Sequence, residues 1–232
     1  MKRNVIIGLL LIIVGVLGFI FLRGGENYGL AFKEDYESVN GKENAHGKVS
    51  RVISIPEDNP FITTDANDIV KKMENKETFY VYFGSKLCPW CRSVIEKAIQ
   101  VAKEKGVSKI YYVDIWDDEG NEIVRDKYTL DANNKPALVK EGIEAYTKLI
   151  SSFASLLSDY TLTDANGKKI EVGEKRIYAP NFLYIEKGVA KKLVTGISDK
   201  QTDSREELTA EMLSDEEKTF NDFFTEVCTD AC

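Results

Sequence analysis

Histidine is nearly missing from this chain. The single one, His46, lies in a polar stretch ahead of the main apolar segments. That argues against a Cys–His or Ser–His catalytic pair, and one imidazole cannot build a histidine-based metal site. Basic clusters are also few. Thirty-one Lys and Arg stand against 38 Asp and Glu, a net charge of −7. This is the wrong sign for a nucleic-acid binder, which needs a positive surface for phosphates. No internal repeat is evident. Cysteine is scarce: Cys88 and Cys91 form one close pair, Cys228 and Cys232 another. Even numbers in close pairs suit an oxidising compartment.

What the chain does have at its start is a run of 18 apolar residues at 5–22, VIIGLLLIIVGVLGFIFL. That length spans a bilayer as a helix. Lys2 and Arg3 precede it, so the positive end stays in the cytoplasm and the rest of the chain is expected outside. No small-x-small cleavage pattern ends the run, which favours an uncleaved anchor over a removed signal peptide. No cysteine follows it, so a lipoprotein anchor is excluded. The expected organisation is an anchor at 1–24 and an extracytoplasmic spacer at 25–60, with one edge strand at 51–55. A folded domain at 61–200, with an insertion around 120–178, and a C-terminal helix with a cysteine tail at 201–232 complete it.

The stretch at 78–95, TFYVYFGSKLCPWCRSVI, carries the chemistry. Residues 78–83 are β-branched or aromatic and predict a short strand. Gly84 and Ser85 end it. Val94, Ile95, Ala98, Ile99 and Ala102 recur at helical spacing. Cys88-Pro89-Trp90-Cys91 therefore sits where a strand hands over to a helix, with Pro89 suited to the first turn. Partial positive charge and unpaired N–H groups at a helix start stabilise a thiolate, so Cys88 is expected to have a depressed pKa. Lys86 and Arg92 are expected to add positive charge, the Cys88 sulfur to face solvent, and Cys91 to lie under the first turn. Half of a zinc site and an inert disulfide remain alternatives for a C-x-x-C.

The strand, the Cys-Pro-Trp-Cys and the following helix resemble the thioredoxin superfamily. YFGSKLCPWCR looks most like the thioredoxin-like bacteriocin transport accessory proteins, and Tyr178-Ala179-Pro180 before the apolar run at 181–185 adds to the likeness. The resemblance covers about residues 60–200. It implies an α/β, thioredoxin-like fold, a central mixed β-sheet flanked by helices, here with a helical insertion and an N-terminal transmembrane helix. It also implies thiol–disulfide exchange with protein thiols or disulfides. Cys88 is then the nucleophile and Cys91 the resolving thiol, with no cofactor, because the disulfide carries the electrons. A cis Pro180, with Ala179, would hold a partner peptide, and Trp90 would join the docking surface. The family often has a buried acid six residues before the first cysteine. Here that place holds Tyr82, a poor base near neutral pH, so resolution is slow or another acid reaches in. Glu96 is expected to point to solvent.

The rest of the chain predicts a helix from Thr64 or Asp65 through about residue 75, a strand at 109–115 and an amphipathic helix at 143–157. A hairpin at 160–172 turns at Asp164-Ala165-Asn166-Gly167, a second spans 182–195 across Lys187-Gly188, and one long helix, or two broken near Ser214, covers 203–227. Trp116 reads as packing. A non-catalytic accessory subunit of a membrane export complex is the second functional reading. For Cys228 and Cys232 a local disulfide, a redox relay to Cys88–Cys91 and a metal pair all stay open.

Overall fold

The computed structural model describes residues 28–44 and 47–225. The apolar run at 5–22, His46, Cys228 and Cys232 lie outside the described residues. Among the described residues, no helix is long and apolar enough to cross a membrane.

The centre is a five-stranded mixed sheet. Its strands are β1 (Phe61–Thr64), β2 (Phe79–Gly84), β3 (Ile110–Asp114), β8 (Asn181–Glu186) and β9 (Val189–Val194), in the order β1-β3-β2-β8-β9. β1, β3 and β2 run parallel, while β8 and β9 are antiparallel neighbours. β2 is the middle strand and every one of its residues is buried. A strand covered on both faces reads as a continuous apolar run, which is what 79–83 shows. Successive side chains still point to opposite faces. Tyr80 and Tyr82 join Tyr112, Phe182 and Tyr184 in one core, while Phe79, Val81 and Phe83 join Val113, Leu183 and Ile185 in the other.

Helices cover both faces. α1 (Tyr28–Glu37), α3 (Pro89–Glu104) and α5 (Ala210–Phe223) pack on the tyrosine face; α2 (Ala66–Glu74) and α4 (Glu144–Phe153) pack on the other. A central mixed sheet flanked by helices fits a thioredoxin-like fold.

The described residues of the stretch expected to be a spacer at 25–60 are part of this fold. α1 buries Phe32 and Tyr36, four residues apart on one helix face, against Phe61 and Tyr112. Burying two such rings is worth roughly 2–3 kcal/mol each. The helix reads as polar because only this narrow stripe is apolar. Nor does 51–55 form a strand. Ile53 and Ile55 are buried, but side chains stand in for a strand partner. Asn40 brackets Ile53 at 2.8 and 3.1 Å, and Ile55 donates to Glu37 at 2.6 Å and accepts from Lys33 at 2.8 Å.

The insertion is not chiefly helical. Besides α4 it contains two hairpins, β4 (Lys127–Leu130) with β5 (Pro136–Lys140) and β6 (Asp159–Thr163) with β7 (Lys169–Lys175). The first was not expected from sequence. The two share a short repeat, Tyr-Thr-Leu leading to Asp-Ala-Asn, that is easy to overlook. Asp131 Oδ1 accepts from the amides of Asn133 and Lys135, and Asp164 Oδ1 from those of Asn166 and Lys168. Asn134 (φ 58°) and Gly167 (φ 81°) take the left-handed position of each turn. At the other end, the expected helix over 203–227 begins only at Ala210. Asp203 and Glu206 carboxylates bind the amides of Arg205, Thr202 and Asp203, which diverts the backbone from a helix until Thr209 caps it.

Candidate active site

Cys88 is the N-cap of α3. Its sulfur accepts from the Cys91 amide at 3.3 Å, with Pro89 in the first turn. The residues just before it form a tight turn in which Cys88 donates its amide to the Ser85 carbonyl at 3.1 Å. Gly84 is required for space: a Cβ there would lie 2.2 Å from the tip of the Tyr82 ring. The Tyr82 phenol thus lies across the end of its own strand and faces Cys91.

The Ala179–Pro180 peptide bond is cis. The Ala179 carbonyl stands 3.6 Å from the Cys88 sulfur. Trp90, Trp116 and Ala179, all half-buried, pack against the core that contains both cysteines. Cys88, Cys91, Trp90, Ala179 and Pro180 are therefore brought together at the start of α3, whereas Cys228 and Cys232 lie outside the described residues. Cys88 was expected to face solvent, but it is 3% exposed, and Cys91 is fully buried. The close approach of Ala179 accounts for the cover over Cys88.

Both cysteines are free thiols, and their surroundings treat them oppositely. Cys88 is held below the usual thiol range. The Cys91 thiol hydrogen bond comes first and burial opposes it; the Cys91 and Trp90 amides and the Arg125 charge then help. Cys91 is pushed well up, first by burial and then by its hydrogen bond with Cys88 and the nearby Cys88 charge; Tyr82 and the Ser85 backbone pull the other way. One sulfur favours the thiolate and the other keeps its proton.

The cations expected beside Cys88 are engaged elsewhere. Lys86 bridges Asp35 and Asp118, 2.6 Å from each. Arg92 is 1% exposed and binds backbone carbonyls: Tyr36 at 2.7 Å and Arg51 at 2.6 and 3.0 Å, with Asn40 Oδ1 beside them. It pins the N-terminal segment to α3. Glu96 is exposed and accepts from the Ser54 amide.

Below the cysteines, Tyr82 shares a 2.8 Å hydroxyl–hydroxyl bond with Tyr36 of α1. Burial raises both phenols well above their ordinary pKa, so neither is a base near neutrality. The half-buried Asp114 ends β3 opposite Gly84 in register, and its pKa is raised by burial. Sequence reasoning missed Tyr36, Asp114 and Arg125 as neighbours of the site. The spacing of Phe32 and Tyr36 was the one signal for α1. Among the described residues, no group of three or more His, Cys, Asp or Glu is placed to hold a metal ion.

No family model and no curated protein matches the sequence. Among solved structures, the chain is similar to thioredoxin O2 from Arabidopsis thaliana in its oxidized state. The TM-score is 0.32 and the identity 15%, over 60% of this chain and 85% of that one. The sheet order and the flanking helices, rather than this likeness, carry the fold assignment.

Proposed function

We propose that the chain is a thiol–disulfide oxidoreductase acting on protein thiols and disulfides. The observation that carries the reading is the opposed environment of two adjacent sulfurs: Cys88 at a helix N-cap, favouring the thiolate, and Cys91 buried and protonated. As a reductant, the Cys88 thiolate attacks one sulfur of a partner disulfide. The partner S–S bond breaks, a mixed disulfide forms and one partner thiolate leaves. Cys91 then loses its proton and attacks Cys88, which closes the Cys88–Cys91 disulfide and releases the second partner thiolate. Two electrons pass to the partner, and the reverse sequence oxidises it. Trp90 and Ala179 flank Cys88 and would meet the partner peptide, with Pro180 setting the backbone direction.

The membrane tether and the extracytoplasmic location belong to the same proposal, supported by the apolar run at 5–22 behind Lys2 and Arg3. So does service to a bacteriocin-type export system, supported by the YFGSKLCPWCR likeness. The deciding experiment is trapping. Cys91→Ser is expected to accumulate mixed disulfides with partners and Cys88→Ser is not, while insulin reduction disappears in Cys88→Ala. Equal trapping by both serine variants would overturn the roles given to the two sulfurs, and a wild type that does not reduce insulin would leave the accessory-subunit reading in its place.

A further inference from the structure

Three charged side chains of the insertion are buried together beside the site. Arg125 makes a two-pronged contact with Glu122 at 2.8 and 2.6 Å, and Arg176 reaches the same carboxylate at 2.9 Å. All three are buried. One carboxylate therefore serves two guanidiniums, which leaves a positive charge in excess. The neighbouring Asp126 does not neutralise it directly: its carboxylate accepts from the Gly142 amide at 2.6 Å, and Arg176 takes its backbone carbonyl at 2.8 Å. Arg176 is stacked over Tyr160 at 4.0 Å and lies 5.9 Å from the Tyr178 ring.

Arg125 has two further contacts. Its guanidinium lies 5.7 Å from the Trp116 ring, which packs against both cores, and it donates to the Ile177 carbonyl at 3.0 Å. Two residues on, the Ala179 carbonyl approaches the Cys88 sulfur. We propose that Arg125 is a positioning residue for the thiol chemistry, holding the 177–180 backbone in place beside Cys88 through the Ile177 carbonyl and bringing the surplus charge of the buried cluster to the site. This rests on the thiol–disulfide reading and adds the insertion to it: the extra hairpins bring a charge to the site. Lys86 has two carboxylates to itself and Arg92 is held by carbonyls, whereas Arg125 shares its one carboxylate with Arg176; its charge is the last of the causes that lower the Cys88 pKa, after the Cys91 thiol and the Cys91 and Trp90 amides.

The test is the pH dependence of Cys88 alkylation by iodoacetamide in the full chain. The other thiols are removed by Cys91→Ser, Cys228→Ser and Cys232→Ser. Arg125→Met is expected to raise the apparent pKa by about half a unit, roughly a threefold loss of rate below it. Arg125→Lys should restore most of that shift. Glu122→Gln, which removes the neutralising charge, should lower the apparent pKa. A purely structural role moves Arg125→Met and Glu122→Gln in the same direction, so an upward shift in both, or no shift in Arg125→Met, overturns the proposal. If Arg125→Met does not fold, an upward shift or none in Glu122→Gln overturns it. Failure of the wild type to reduce insulin would sink the redox reading instead, while these alkylation shifts would remain readable.

Discussion

Glu216 makes a quantitative prediction about stability. It sits on α5, fully buried, and neither carboxylate oxygen has a hydrogen-bond partner. Burial pushes its pKa up to about 7, against the opposing charges of Lys97 and Arg51. Neither cation hydrogen-bonds it. Lys97 is held by Glu217 at 3.1 Å and Gln100 at 3.0 Å, and Arg51 donates to the Glu206 carbonyl. In the unfolded chain the same carboxyl ionises near its ordinary value of 4.5. Below that pH both states carry the proton and Glu216 costs nothing extra. Between 4.5 and 7 the unfolded state ionises while the folded state stays protonated, so stability falls as pH rises. Above 7 both are ionised and the loss is complete. A gap of this size corresponds to about 3 kcal/mol, and relaxation around the charge lowers it to about 2–3 kcal/mol. The assay is urea unfolding of wild type and Glu216→Gln at pH 5, 6, 7 and 8. Other groups cancel in the difference, which should grow in favour of the glutamine variant by about 2–3 kcal/mol from pH 5 to 8. Two stability profiles that stay parallel over this range would refute the reasoning.

Phe32→Ala should cost about 3–5 kcal/mol by opening a cavity under α1, and denaturant melts showing less than about 1 kcal/mol would return 28–37 to a spacer. Arg92→Met should cost about 3 kcal/mol or more, because buried carbonyls of Tyr36 and Arg51 lose their donor, and limited proteolysis should then cut within 38–55. Cys91 keeps a pKa raised by burial even once Cys88 is in a mixed disulfide. Stopped-flow resolution of that disulfide should therefore speed up by roughly tenfold per pH unit between 6 and 8, and a flat profile would mean that an acid such as Asp114 takes the proton. Tyr82→Phe removes the hydroxyl bond to Tyr36 and should lower stability by about 1–2 kcal/mol in the same melts, where no change would mean that Tyr36 finds another partner.

Local chemistry was legible in the chain itself. Apolar residues at 79–83, a Gly-Ser break and helical spacing after Cys91 place Cys88-Pro89-Trp90-Cys91 at a strand-to-helix junction without any tertiary information. The hairpin across Lys187-Gly188, the Asp65 cap and the proline before 181–185 were legible for the same reason: strand alternation, capping and turn chemistry act over a few residues. What only the folded chain decided involves partners far apart in sequence. Lys86 meets Asp35, Arg92 meets the Tyr36 carbonyl and Arg125 meets the Ile177 carbonyl. No periodicity announces which cation will meet which carboxylate or carbonyl, because electrostatic pairing depends on burial and distance rather than on order. The same holds for α1, whose two core rings are hidden among charged neighbours, and for Glu216, an ordinary acid in the sequence that becomes a buried one only when α5 closes over α3.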